Sequence, residues 1–304
     1  MSTQKDPGFG RGLFYGFGAY LIWGSFPLLI AALSFASPWE IVIWRIVFGF
    51  VAAALITTIT KSWPAIKLAL KDRKFLLLQT LAAIMIFANW QLMVIAVASH
   101  RAVESSLGYF INPLVTIILA VIFLGEKLTK AQWVASAFGA VAVSVLAFEY
   151  GSLPWIAISL ALSFGFYGLL KKKMGNRVSS VSAFAIEAGM LLPVAAAMVF
   201  LLPALGIPLV FGNTTPFQAF ELAAFGVITA VPLIMFGAST RLLPLKYVGF
   251  IQYLTPILQF LTAITILGEP MPPARLAGFA LVWVGLTVLI ADAIRAGKQQ
   301  KAQK

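Results

Sequence analysis

Two charges lie deep inside apolar runs of this sequence and frame its chemistry: Arg45 within WEIVIWRIVFGF and Glu187 within SAFAIEAGMLL. At about 1.5 Å per helical residue, both fall within a few ångström of the centre of a bilayer core about 30 Å thick. A charge at that depth is costly and faces a protein interior or a wet cavity. One reading pairs Arg45 with Glu187 at the centre, or makes Glu187 a group that takes up and releases a proton. The other is a purely structural pair, or an Arg45 that reaches outward along its methylene stem.

Asn89, Trp90 and Gln91, then Tyr109 and Asn112, then Gln252, Tyr253 and Gln259 are amides and aromatics set in otherwise apolar stretches. Such groups around one cavity hold a small amphipathic solute by stacking and hydrogen bonding. Each taken singly reads better as a hydrogen bond between two helices, worth about 0.6 kcal/mol. As a set they predict a substrate site of Arg45, Asn89, Trp90, Tyr109, Asn112, Gln252, Tyr253 and Gln259, with Glu187 as the proton-coupling group. His100, Arg101 and Glu104 are expected as an exposed interfacial trio. Pro113 and Pro256 each free a backbone carbonyl and allow a bend, and Glu126 and Glu269, each after a glycine, are expected as solvated helix ends. Gly8, Gly12 and Gly16 have the spacing of a close helix contact.

Composition limits the chemistry further. The chain of 304 residues is 61% hydrophobic and 11% charged, with mean hydropathy +0.96, whereas soluble domains are about 25% charged. It contains no cysteine and a single histidine, which leaves no thiolate metal site and little basis for His-based metal or Ser-His chemistry. No G-x-x-x-x-G-K-[ST] phosphate loop is present, so no built-in ATP motor is expected. The net charge of +12 is carried by short segments between apolar runs, a topology signal and not a nucleic-acid face. No cofactor and no nucleic-acid partner are expected; the partners are a small-molecule substrate, the lipid bilayer and a proton co-substrate, with the chain a monomer or a homodimer.

The elements that position these residues are ten apolar spans, near 12–33, 38–60, 74–98, 102–124, 131–148, 153–171, 178–202, 217–240, 246–267 and 274–293, each close to the length a bilayer requires. The first is long enough to span and has no small-residue cleavage site after it, so it reads as a retained helix. With the N-terminus in the cytoplasm, 19 of the 22 Lys and Arg fall on inside segments, Arg101 and Arg275 fall outside, and Arg45 lies within a span. A single miscounted span would invert every later loop, so this bias supports ten spans with both termini inside.

The run LGYFINPLVTIILAVIFLGE at 107–126 returns as FIQYLTPILQFLTAITILGE at 250–269, shifted by 143 positions. Five spans per half give the two copies opposite orientation, the inverted repeat of secondary transporters with a midplane site between the halves. Gly24 matches Gly165 more loosely. The expected fold is an all-α polytopic membrane protein of ten transmembrane helices in two inverted five-helix repeats, residues 1–150 and 151–304, the second ending in a short basic tail.

The motifs WRIVF at 44–48, NW at 89–90, ESSLGYFINPL at 104–114, GSLPW at 151–155, SFGFYG at 163–168 and the run 249–269 with Gln252-Tyr253 and Pro256 resemble the RarD branch of the EamA-type transporters, in the drug/metabolite transporter superfamily. The resemblance covers nearly the whole chain. It implies a bacterial inner-membrane carrier of two five-helix repeats with a central cavity, exporting small metabolites or drugs; His100 and Arg101 inherit no role from it. The competing readings are a membrane enzyme acting on a lipid-linked substrate and a membrane sensor that does not transport.

Overall fold

The computed structural model describes residues 7–125, 130–150, 154–174, 177–242, 251–273 and, in the last segment, 276–281, 283–285, 287–288 and 291. The helices are α1 (Pro7–Gly24), α2 (Phe26–Ala32), α3 (Pro38–Ile59), α4 (Trp63–Ala69), α5 (Arg73–Ala98), α6 (Ala102–Leu124), α7 (Lys130–Tyr150), α8 (Trp155–Met174), α9 (Ser180–Ala204), α10 (Pro216–Leu242) and α11 (Leu254–Thr265). A further apolar helix covers Leu276–Gly285. Each expected span overlaps a helix, with α1 and α2 sharing the first. The short α4 was not anticipated; it buries Ile66 against the core.

Local chemistry sets the helix ends. Ser37 accepts a hydrogen bond from the Glu40 backbone N–H, with Pro38 opening α3, and Asp72 accepts from Lys74 and Phe75 at the start of α5. Ser179 caps α9 through Ser182. These oxygens satisfy N–H groups that have no partner within the helix. Gly125 and Gly268, 143 positions apart, both have φ of 66°, a backbone region open mainly to glycine, and each follows the end of a helix.

Five helical stretches, Gly8–Ala32, Pro38–Ile59, Arg73–Ala98, Ser180–Ala204 and Pro216–Ser239, are long and apolar enough to cross a membrane. The outer surface of the bundle is apolar, with Phe14, Leu55, Ile59, Ile122 and Phe200 exposed, while Glu40, Arg45, Gln79, Asn89 and Glu187 are buried. Lipid-facing helices favour this arrangement, because backbone groups are satisfied within the helix and charges are driven inward. The chain is a membrane protein.

Packing interleaves early and late helices. α3 lies against α9 and α10, α1 against α10 and α11, α8 against α5 and α6, and α6 against α11. Two crossings are close enough to demand glycine. A Cβ on Gly226 would sit 2.7 Å from the Trp44 carbonyl oxygen, and one on Gly108 2.7 Å from that of Ala157. Small residues are the usual means of bringing membrane helices together. The glycines at 12 and 16 pack within the chain: Ser239 Oγ on α10 donates to the Gly12 carbonyl at 2.9 Å, and a Cβ on Gly16 would meet that same Oγ.

Candidate functional site

The site begins with a missing hydrogen. Pro27 has no backbone N–H, so the Trp23 carbonyl one turn earlier loses its helical partner, and the helix breaks at Ser25 between α1 and α2. Gln259 on α11 fills the gap, its Nε2 donating to Trp23 O at 3.0 Å. Thr255 Oγ1 donates to Tyr20 O at 2.8 Å. α11 is itself interrupted at Tyr253, just before Leu254. Pro256 thus lies in the first turn of α11, where the first N–H groups of a helix have no partner within it.

Between these two broken helices and α3, α5, α6, α8 and α10 lies a cavity. Its walls enclose ≈ 590 Å³ of empty space, open mouth included, lined by Tyr20, Trp23, Phe26, Arg45, Ile86, Asn89, Trp90, Met93, Tyr109, Phe164, Leu233, Gln252, Thr255, Pro256 and Gln259. Six of the predicted site residues, Arg45, Asn89, Trp90, Tyr109, Gln252 and Gln259, are among them. Asn112 and Tyr253 are not: Asn112 is buried with its Oδ1 toward Gly165 on α8, and Tyr253 belongs to the apolar core.

Arg45 is 3% exposed. Its guanidinium lies 4.4 Å from the ring centre of Trp90, 5.1 Å from Phe26 and 5.4 Å from Phe225. Nε and Nη1 are buried without a hydrogen-bond partner. Asn89 is fully engaged: its Nδ2 donates to Leu160 O and Ser163 Oγ, both at 3.1 Å, and its Oδ1 accepts from Tyr109 OH at 3.0 Å. It therefore ties α5 to α6 and α8 and holds the Tyr109 hydroxyl at the wall.

Glu187 stands apart from the cavity lining and from Arg45, so the central Arg45–Glu187 pair is not formed. Its Oε1 accepts from Lys171 Nζ at 2.5 Å and Gln79 Nε2 at 3.0 Å, and its Oε2 from Tyr167 OH at 3.1 Å. α9 directs this carboxylate toward α5 and α8, whereas α3 directs Arg45 toward the aromatics; the sequence placed both at one depth but on faces that do not meet. A second ion pair, Arg177 with Asp72, links the start of α5 to the segment before α9.

At one end of the bundle three buried carboxylates hold backbone N–H groups. Glu269 Oε1 and Oε2 accept from Ala102 N at 2.6 Å and Val103 N at 2.8 Å, at the start of α6. Glu104 accepts from Ile156 N at 3.1 Å, near the start of α8, and from Arg101 Nε at 2.8 Å. Glu40 accepts from Phe211 N at 2.8 Å, Val210 N at 2.9 Å and Trp44 Nε1 at 3.1 Å. Glu269 is thus no solvated helix end. The expected exposed trio keeps only His100 and a half-buried Arg101 near the surface, with Glu104 buried. A negative charge at a helix start is favoured by the unpaired N–H groups and the helix dipole. Glu126 lies outside the described residues.

Sequence reasoning missed the contribution of α1 and α2, Tyr20, Trp23 and Phe26, and also missed Glu40. The signal for the first was present: Gly24, Ser25 and Pro27 interrupt an apolar run, as in helices that border transporter sites. For Glu40, close to an apparent helix end, surface solvation was the simpler account.

The EamA-like transporter family pattern matches residues 10–148. The chain is similar to the protein RarD of Streptomyces exfoliatus, 41% identical across 96% of this chain and 92% of that protein, and to the protein RarD of Escherichia coli K12, 36% identical across 93% and 95%. It is also similar to an uncharacterized transporter of Vibrio cholerae, 34% identical across 94% of each. One crystal structure of a protein superposes with a TM-score of 0.63 over 94% of this chain and 99% of that one, at 17% identity, a likeness of fold.

Proposed function

The chain belongs to the RarD branch of the EamA-like transporter family, and from that membership we propose that it carries a small solute across the bacterial inner membrane by alternating access, outward from the cell. The observation that carries this reading is the cavity, whose walls come from residues on both sides of position 150, including Trp23, Arg45 and Tyr109 from one half and Phe164, Gln252 and Gln259 from the other. A site between two halves is opened to either side when one rocks against the other.

The contacts support two inverted five-helix repeats. Exchanging α1 with α8, α3 with α9, α5 with α10 and α6 with α11 turns the α1–α10 packing into α8–α5, α6–α8 into α11–α1, and α3–α10 into α9–α5, all of which occur. The two loosely matched glycines behave alike. A Cβ on Gly24 would press into Leu258 at 2.6 Å, and one on Gly165 into Val115 at 2.9 Å; Val115 and Leu258 are 143 positions apart. Tyr109 and Gln252, at the same shift, both line the cavity.

Substrate contacts belong to Arg45, Trp90, Tyr109, Gln252 and Gln259, with Asn89 orienting Tyr109. Glu187 is the proton-coupling group of this reading. α8 joins it to the cavity, since Phe164 forms the wall and Tyr167, its ring 5.9 Å from that of Phe164, holds the carboxylate. The termini lie in the cytoplasm on the Lys and Arg distribution, which puts the three carboxylate clamps outside. A membrane enzyme built on the His100, Arg101 and Glu104 cluster would need Glu104 as its acid, but Arg101 and the Ile156 N–H already take its oxygens.

Proteoliposomes loaded with a small-molecule extract of bacterial cells test the proposal. Selective loss of particular solutes relative to protein-free liposomes is the expected result, and identical retention of every solute would sink the transport reading.

A further inference from the structure

Arg45 is a cation in the wall of an otherwise apolar and amide-lined cavity, and the side chain is more than nine-tenths buried. The ion pairs of the described residues join Arg101 to Glu104, Lys171 to Glu187 and Arg177 to Asp72, and none reaches Arg45. Its neighbours are aromatic faces. Stacking against Trp90 offsets part of the cost of burying the charge, but aromatic faces do not accept the in-plane hydrogen bonds of a guanidinium. Nε and Nη1 therefore remain as two donors without a hydrogen-bond partner on a cation that lines the cavity, and a carboxylate is the anion that pairs with a guanidinium most directionally. Gln259, also in the cavity lining, has given its Nε2 to Trp23 and keeps a buried Oε1 with no partner.

We infer that the solute carried by this site is a small organic carboxylate with a flat apolar body, its anionic end paired with Arg45 and its body held between the aromatic walls. This rests on the transport reading and narrows it. The carboxylate supplies the counter-charge that the fold withholds from Arg45, which removes the main cost of the buried cation. Trp23, Phe26 and Tyr109 provide flat surfaces for the body, and Gln259 Oε1 accepts a donor from any ligand that carries one. A neutral isostere of the same shape leaves Arg45 unpaired and binds more weakly.

The test is thermal unfolding of the purified full chain in detergent with matched pairs of aromatic carboxylates and their amides, benzoate with benzamide and phenylacetate with phenylacetamide. A charged pair across Arg45 predicts apparent affinity about tenfold or more higher for the acids. Arg45→Gln is expected to abolish that preference, and Arg45→Lys to retain it with weaker binding. Equal stabilisation by acid and amide, or no stabilisation by any acid, overturns the inference using the unaltered protein alone, even if Arg45→Gln does not fold. A matching effect of chloride overturns it too, since the organic body would then be irrelevant. Failure here is separable from failure of the transport reading: selective flux of neutral solutes without acid preference sinks only the carboxylate, whereas acid-selective binding without flux of any solute sinks only transport.

Discussion

At the scale of single residues, the amides in this bundle divide by what their hydrogen bonds already serve. Gln259 is both a cavity residue and the partner of a carbonyl that Pro27 leaves free. Gln259→Leu is expected to lower stability by about 1–3 kcal/mol, the cost of an unsatisfied buried acceptor, read as a lower thermal midpoint in detergent. Restoring an N–H at the other end should offset that loss, so Pro27→Ala combined with Gln259→Leu is predicted to be more stable than Gln259→Leu alone. Additive losses in the double variant would refute the pairing. These roles were only half legible beforehand: the sequence shows Gln259 as an amide in an apolar run, but whether its donor faces a solute or a broken helix depends on a residue 232 positions away.

At the scale of elements, the carboxylates of Glu40, Glu104 and Glu269 hold segments that local propensity leaves unconnected. Glu269 joins the end of α11 to the start of α6, the two helices that carry the repeated sequence. Glu269→Ala removes both acceptors from the first turn of α6 and is expected to destabilise the protein by about 1–3 kcal/mol; Glu269→Gln, which keeps one acceptor oxygen, should cost less. Equal thermal midpoints for the parent protein and Glu269→Ala would show the clamp to be idle. The positive φ of Gly268 was readable from its place after an apolar run, because glycine is the residue that ends helices in this way. The target of the following glutamate was not readable, since nothing local marks which helix start lies beside it.

At the scale of the whole molecule, two predictions address topology and coupling. The chain has no cysteine, so single-cysteine reporters need no background removal. His100→Cys should react with a membrane-impermeant maleimide on spheroplasts, and Lys67→Cys only after the membrane is opened; the reverse pattern would overturn the proposed orientation. Glu187→Gln keeps a side chain able to bond Gln79 and Tyr167 but removes the charge that meets Lys171. With this variant in proteoliposomes, solute flux is expected to lose its response to an imposed pH gradient, and an unchanged response would remove Glu187 from coupling.

Membrane residence, the all-helical architecture and the burial of Arg45 and Glu187 within apolar helices were legible in the sequence alone, because a bilayer imposes a length and a polarity on each span that composition records directly. The repeated stretch likewise pointed to α6 and α11 as the region of the site. Tertiary structure decided which faces meet. Arg45 turned to Trp90 and the cavity, Glu187 to Lys171, Asn112 to α8 and Glu269 to α6. In spans that are apolar nearly all round, no periodic stripe of polar residues marks the inward face, so partner choice comes from interhelical packing and reads only in three dimensions.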